Sequence, residues 1–171
     1  MKNLIITILT LAATLFTSCD SAKVEVLTDQ DRATIESEVL MVLNQIVQNS
    51  EAVDLEKATA AYVDNPEFIS INNGVVNDYK GFIKSNKEIF DVLEKQEYNE
   101  TALMFTFIDK RNVILTYAGT AIATFKNKQQ MKIDPFSATL FFRKFDDSWK
   151  VIYTNEFAAV DPIMEDSTIA N

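Results

Sequence analysis

The chain has 171 residues, 47% of them hydrophobic, with 25 acidic side chains against 16 basic ones and no histidine. That length supports one domain with a real core, and the formal charge of −9 repels phosphates and anionic headgroups, which sets aside nucleic-acid recognition and adhesion of the folded body to anionic lipid. Without histidine no Ser-His-Asp or Cys-His mechanism can be built within the chain, and with three glycines there is no phosphate-cradling loop.

The N-terminal stretch reads as an address. Lys2 opens it, and the apolar run Leu4 to Phe16 is too short to span a bilayer but suits a signal-peptide core. It ends on Phe16-Thr17-Ser18-Cys19, which resembles a bacterial lipoprotein signal, usually Leu, two small residues and Cys, with Phe16 in the Leu place. The resemblance implies that residues 1–18 are removed, that Cys19 is lipidated, and that the chain is exported and anchored to the cell envelope, facing the periplasm or the surface. Lipid chains bury about 0.8 kcal/mol per CH₂, so they anchor firmly without a spanning helix. Loss of residues 1–18 removes Lys2 and no acid, so −9 becomes −10.

Residues 19–27 read as a tether. Thr28 and Asp31 form a capping-box-like pair, and Ile35, Val39, Val42, Leu43 and Ile46 recur at helical spacing, predicting an amphipathic helix of about 18 residues that ends near Asn49. A shorter helix is predicted over Leu55–Tyr62, burying Leu55, Ala58, Ala61 and Tyr62, and Asp64-Asn65-Pro66 stops it. A small strand at 67–71 and an Asn72-Asn73-Gly74 turn follow. A third helix is predicted with Phe82, Ile89, Phe90 and Leu93 on its apolar stripe.

The remainder alternates as strands over 101–109, 112–126, 136–145 and 149–157. The second of these would reach about 50 Å if straight, so it must bend, and Gly119 in its middle is the place for a bulge. Pro135 cannot donate to a ladder, so the next strand is expected to start late or lie at an edge. Alternation does not say whether Phe141 or Phe142 faces inward, because both are apolar. Residues 159–171 read as a polar tail.

Three helices followed by four long antiparallel strands predict an α+β domain over 28–158. Ala60 to Gly74, Tyr79 to Phe90, and Asp146 to Phe157 with Trp149 just after a tight turn resemble the NTF2-like superfamily, specifically its SnoaL-like branch, across about Asp31 to Phe157. The resemblance implies a cone: a curved antiparallel sheet wrapped around the three N-terminal helices and enclosing a largely apolar pocket. Members include isomerases, dehydratases and proteins without chemistry, so fold alone does not choose among these.

Residues two apart share a strand face. Trp149, Val151, Tyr153 and Asn155 should therefore point together, and the resemblance implies that they point into the pocket, with Tyr153 and Asn155 where relatives often carry His. Glu156 falls on the other face, as a solvated group or a subunit contact. Tyr62, Phe68 and Phe141 are candidates for either the cavity wall or the core, and Tyr117 for a phenol donor. Asp64 is the candidate general base, by resemblance to isomerase relatives that pair a carboxylate with phenols; it can equally serve as a local helix terminator. No metal site or cofactor is expected, for want of His, a usable Cys or a Ca²⁺ loop.

The leading expectation is a membrane-anchored module that binds a small apolar or amphipathic molecule without catalysis, with Trp149, Tyr153, Asn155, Tyr117, Tyr62 and Phe68 around it. The alternatives are an isomerase or dehydratase using Asp64, and an interaction module using the outer sheet face. A strand greasy on both faces also suggests a homodimer.

Overall fold

The computed structural model describes residues 26–162. The predicted signal segment 1–18, Cys19, most of the 19–27 tether and the end of the predicted tail lie outside the described residues. No helix of the described residues is long and apolar enough to cross a membrane.

Helix α1 (Asp29–Glu51) starts with a complete capping box: the Asp31 N–H donates to Thr28 Oγ1 at 3.1 Å, and the Thr28 N–H donates to Asp31 Oδ2 at 3.0 Å. It runs 23 residues, past the expected stop, because tertiary partners satisfy its last turn. Gln96 Nε2 donates to the Ser50 carbonyl at 3.2 Å, and the Tyr98 N–H donates to Glu51 Oε1 at 3.0 Å. Such contacts override the weak helix propensity of Asn and Ser.

Helix α2 (Leu55–Thr59) stops earlier than predicted. The chain after it is claimed by the sheet: the Val151 N–H donates to Ala61 O at 2.9 Å and the Val63 N–H donates to Val151 O at 3.0 Å. Strands β1 (Ile69–Asn72) and β2 (Val75–Asn77) form a hairpin about Asn73 and Gly74, whose φ values of 45° and 85° suit the Asn-Gly pair. Asp78 caps α3 (Tyr79–Phe90) by accepting from the Gly81 N–H at 2.8 Å. Leu93, expected on this helix, instead opens β3 (Leu93–Asp109), followed by β4 (Asn112–Phe125), β5 (Gln130–Phe145) and β6 (Ser148–Pro162). β6 thus extends into the segment read as a tail.

The six strands form one curved sheet in the order β2-β1-β6-β5-β4-β3, antiparallel except for the β1–β6 pair. Ile35, Val39 and Leu43 of α1 pack on Val113, Leu115, Leu140, Phe142 and Val151 of the concave face. Phe142 is fully buried there, and Phe141 lies on the opposite face.

The sheet bends across one line. Glu100 pairs with Gly119, Gly119 with Phe136, and Phe136 with Ala158, and register shifts occur beside this line in all three ladders. Asp134 and Pro135 leave the ladder inside β5, so the proline sits at a mid-strand irregularity and not at a strand start or sheet edge. The inward set changes parity across the line: Gln96 and Tyr98 give way to Leu103, Phe105 and Phe107 on β3. Gly119 lets the strands approach, since a Cβ there would meet the Asn99 carbonyl oxygen at 2.3 Å. Gly119→Ala is expected to cost about 1–3 kcal/mol, read as a lowered midpoint in urea unfolding; an unchanged midpoint would mean that the strands do not converge there.

Candidate functional site

Below the bend, the sheet and helices enclose a cavity of about 470 Å³. Its walls come from the second half of α1 (Leu43, Ile46, Val47), from α3 (Phe82, Phe90), and from the inner face of the sheet (Tyr98, Tyr117, Phe136, Ala138, Leu140). Ile89, Val92 and Val160 also line it and are 47–49% exposed, which gives the cavity an apolar mouth.

The polar lining of the last strand is set by a bulge. Phe142 pairs with Val151 and Phe141 with Tyr153, so Ile152 is an extra residue in β6. The other edge of β6 changes partner at the same point: Val151 pairs beside Tyr62, whereas Tyr153 through Glu156 pair with Ile69 through Asn72 of β1. One inserted residue turns every later side chain to the opposite face. Trp149 and Val151 point in before the bulge; Thr154, which has no exposed surface, and Glu156 point in after it.

Tyr153 and Asn155, expected inside, therefore do not line the cavity. They lie on the convex face, beyond which Phe157 is 53% exposed. Trp149 is also absent from the wall. It is buried under α1, where its Nε1 donates to Glu38 Oε2 at 2.7 Å, and Lys144 Nζ donates to the same oxygen at 2.7 Å. These bonds, Lys144's first, hold the Glu38 carboxyl below its ordinary range.

Of the other sequence-predicted residues, Tyr62 and Tyr117 line the cavity. Phe68 is core behind it, with ring centroids 5.3 Å from Phe82 and 5.6 Å from Tyr79. Asp64 is exposed and outside the wall. Its charge adds to burial in raising the Tyr79 phenol. The structure thus brings together Tyr62 and Tyr117 with a residue that strand alternation had placed outside, Glu156. A signal did exist: three consecutive apolar residues, Val151-Ile152-Tyr153, opposite the Phe141-Phe142 pair, mark where strict alternation is lost on both strands.

The Glu156 carboxyl is raised above its ordinary value by burial, opposed by a hydrogen bond from Thr154 Oγ1 at 3.2 Å. The phenols of Tyr62 and Tyr98 are both raised, first by burial and then by the charge of Glu156. Tyr98 is fixed by a chain of contacts. Gln96 Nε2 donates to a backbone carbonyl, so its Oε1 must be the atom that faces Tyr98, and the Tyr98 hydroxyl must donate to it, at 3.1 Å. Among the described residues no group of three or more His, Cys, Asp or Glu side chains is placed to hold a metal ion.

The position of Glu156 has a consequence for stability. A carboxyl with a raised folded-state pKa favours folding below its unfolded value, near 4.5, and that contribution is lost as pH rises through the raised value. Glu156→Gln is therefore expected to raise Tm relative to the parent near pH 8 and to gain much less near pH 4. Thermal melts at both pH values check this; an equal effect at both would place the carboxyl in water.

No family model matches the chain, and no curated protein matches it. Solved structures do. The putative scytalone dehydratase from Novosphingobium aromaticivorans superposes with a TM-score of 0.71 at 8% identity, covering 84% of this chain and 100% of that one. The hexachlorocyclohexane dehydrochlorinase LinA-type3 from Novosphingobium barchaimii gives 0.67 at 12%, covering 84% and 100%. A nuclear transport factor 2 (NTF2-like) superfamily protein from Salmonella enterica gives 0.64 at 10%, covering 80% and 96%. At such identities the likeness speaks for architecture, and that architecture is the NTF2-like α+β cone.

Proposed function

We propose that this domain is a small-molecule binding module whose cone receives a mostly apolar ligand. The observation that carries this reading is the cavity itself: about 470 Å³, walled by aromatic and aliphatic side chains, with a few converging polar groups. This is the usual make-up of a ligand site. Polar recognition falls to Glu156 and Tyr98, in place of the Tyr153 and Asn155 that alternation and the family resemblance together suggested.

Proton-transfer chemistry of the isomerase kind needs a base and a hydrogen-bond donor inside the pocket. Asp64 is outside it, and the Tyr98 proton is already given to Gln96. Glu156 does line the wall with the Tyr62 and Tyr117 phenols, so a proton-transfer reading would rest on Glu156 and not on Asp64; the mostly apolar wall puts binding first.

Blocking the cone separates ligand binding from surface adsorption. Ala138 is buried on the cavity wall, so Ala138→Trp should fill the space. In fluorescence titration with an apolar dye such as anilinonaphthalene sulfonate or its neutral analogue N-phenylnaphthylamine, the variant is expected to lose at least about tenfold in affinity for the neutral dye, or about 1.4 kcal/mol, with its far-UV spectrum retained. Unchanged affinity would place binding elsewhere.

We further infer that the module is exported and tethered to the envelope through Cys19. The support is the Leu4–Phe16 core followed by Thr17-Ser18-Cys19. In a bacterial host, Cys19→Ser is expected to abolish incorporation of labelled fatty acid and to move the protein from the membrane fraction to the soluble fraction; incorporation that persists in the variant would refute lipidation at that residue.

A further inference from the structure

The apolar wall fixes the body of a ligand, and the polar wall fixes its head. The formal charges among the described lining residues are Glu88 and Glu156, with no Lys or Arg. Three of the four lining amides have their nitrogens in use. Asn73 Nδ2 donates to Ala158 O at 3.2 Å, Asn86 Nδ2 to Phe82 O at 2.9 Å, and Gln96 Nε2 to Ser50 O at 3.2 Å. The Thr59 hydroxyl donates to Leu55 O at 2.8 Å, and the Tyr98 hydroxyl to Gln96.

Acceptors remain. A carboxylate offers about four acceptor positions, and the Thr154 hydroxyl takes one of those on Glu156. The Tyr98 oxygen, its proton committed, presents lone pairs. The Glu156 charge is close enough to perturb the Tyr62 and Tyr98 hydroxyls. The Tyr62, Phe82, Tyr117 and Phe136 rings add faces that attract cations.

We propose that the cavity takes a hydrophobic amine, its hydrocarbon body in the cone and its ammonium group donating to the Glu156 carboxylate, with the Tyr98 oxygen as a second acceptor. The assignment rests on the ligand-binding reading above. It excludes fatty acids and other anionic amphiphiles, whose carboxylate would be buried beside Glu156 with no lining cation to offset it. A neutral ligand loses the charge-assisted bond but meets no such repulsion.

The test uses three probes of one skeleton, phenylbutylamine, phenylbutanol and phenylbutanoate, titrated calorimetrically into the purified full-length protein near neutral pH and moderate salt. The amine is expected to bind about tenfold tighter than the alcohol, and the acid to be weaker than both. Glu156→Gln should cost the amine about tenfold and leave the alcohol within about twofold. Tyr98→Phe, which keeps the ring, should weaken the amine selectively and serves if the Glu156 variant misfolds. Acid binding as tight as amine binding, or an amine indifferent to Glu156→Gln, overturns the assignment while cavity binding stands. If none of the three binds and the neutral dye also fails, the ligand-binding reading falls, and the amine assignment with it.

Discussion

The cavity of this protein depends on one extra residue in its last strand. A strand shows alternate residues to alternate faces, so the identity of a lining group is a question of parity. Ile152 resets that parity. Upstream of it, Trp149 and Val151 serve the core between α1 and the sheet; downstream, Glu156 lines the cavity, with the buried Thr154 hydroxyl bonded to it. The bulge sits where β6 exchanges one edge partner, the chain around Tyr62, for another, β1. The loop from Asp64 to Phe68 is bypassed between those two pairings, and β6 accommodates the change by letting one residue out of the ladder.

Two further devices hold the cone around that wall. Trp149 and Lys144 share one Glu38 oxygen, which pins the middle of α1 to the β5–β6 hairpin. The Gln96 and Tyr98 contacts pin its C-terminal end to β3. Between these two clamps the helix and sheet diverge, and the space between them is lined by aromatic rings. At the far side of β6, the Asn73 side chain both donates to the Ala158 carbonyl and accepts from the Ala158 N–H, extending the ladder beyond the β1–β2 turn. Specificity then follows from which groups structural bonds consume: they use three of the four lining amide donors and leave carboxylate and phenolic oxygens facing the hollow.

Much of the fold was legible in the sequence because it rests on local chemistry. Thr28 with Asp31, the Asn73-Gly74 turn and the mid-strand Gly119 each announce a conformation that few other residues adopt. What was not legible depended on distant partners. The last turn of α1 holds because Gln96 and Tyr98 reach it, the second helix ends early because Val151 pairs beside it, and residues 93–100 are strand because β4 offers them a ladder. The site suffered most. Reading alternation straight through Val151-Ile152-Tyr153, with the inward direction taken from the family resemblance, put Tyr153 and Asn155 inside and Glu156 outside, and a single bulge inverts all three. Tyr62 and Tyr117 do line the cavity, but the sequence left Tyr62 open between wall and core and offered Tyr117 only as a phenol donor.

The most direct measurement is a carbon-13 NMR titration of the glutamate side-chain carboxyls, with Glu156 assigned by its absence in Glu156→Gln. If the bulge turns Glu156 into the apolar hollow, its carboxyl titrates above the ordinary glutamate value near 4.5 and its resonance shifts when an apolar ligand fills the cone. A Glu156 that titrates as an ordinary surface carboxylate and ignores the ligand would contradict the inverted parity and everything built on it.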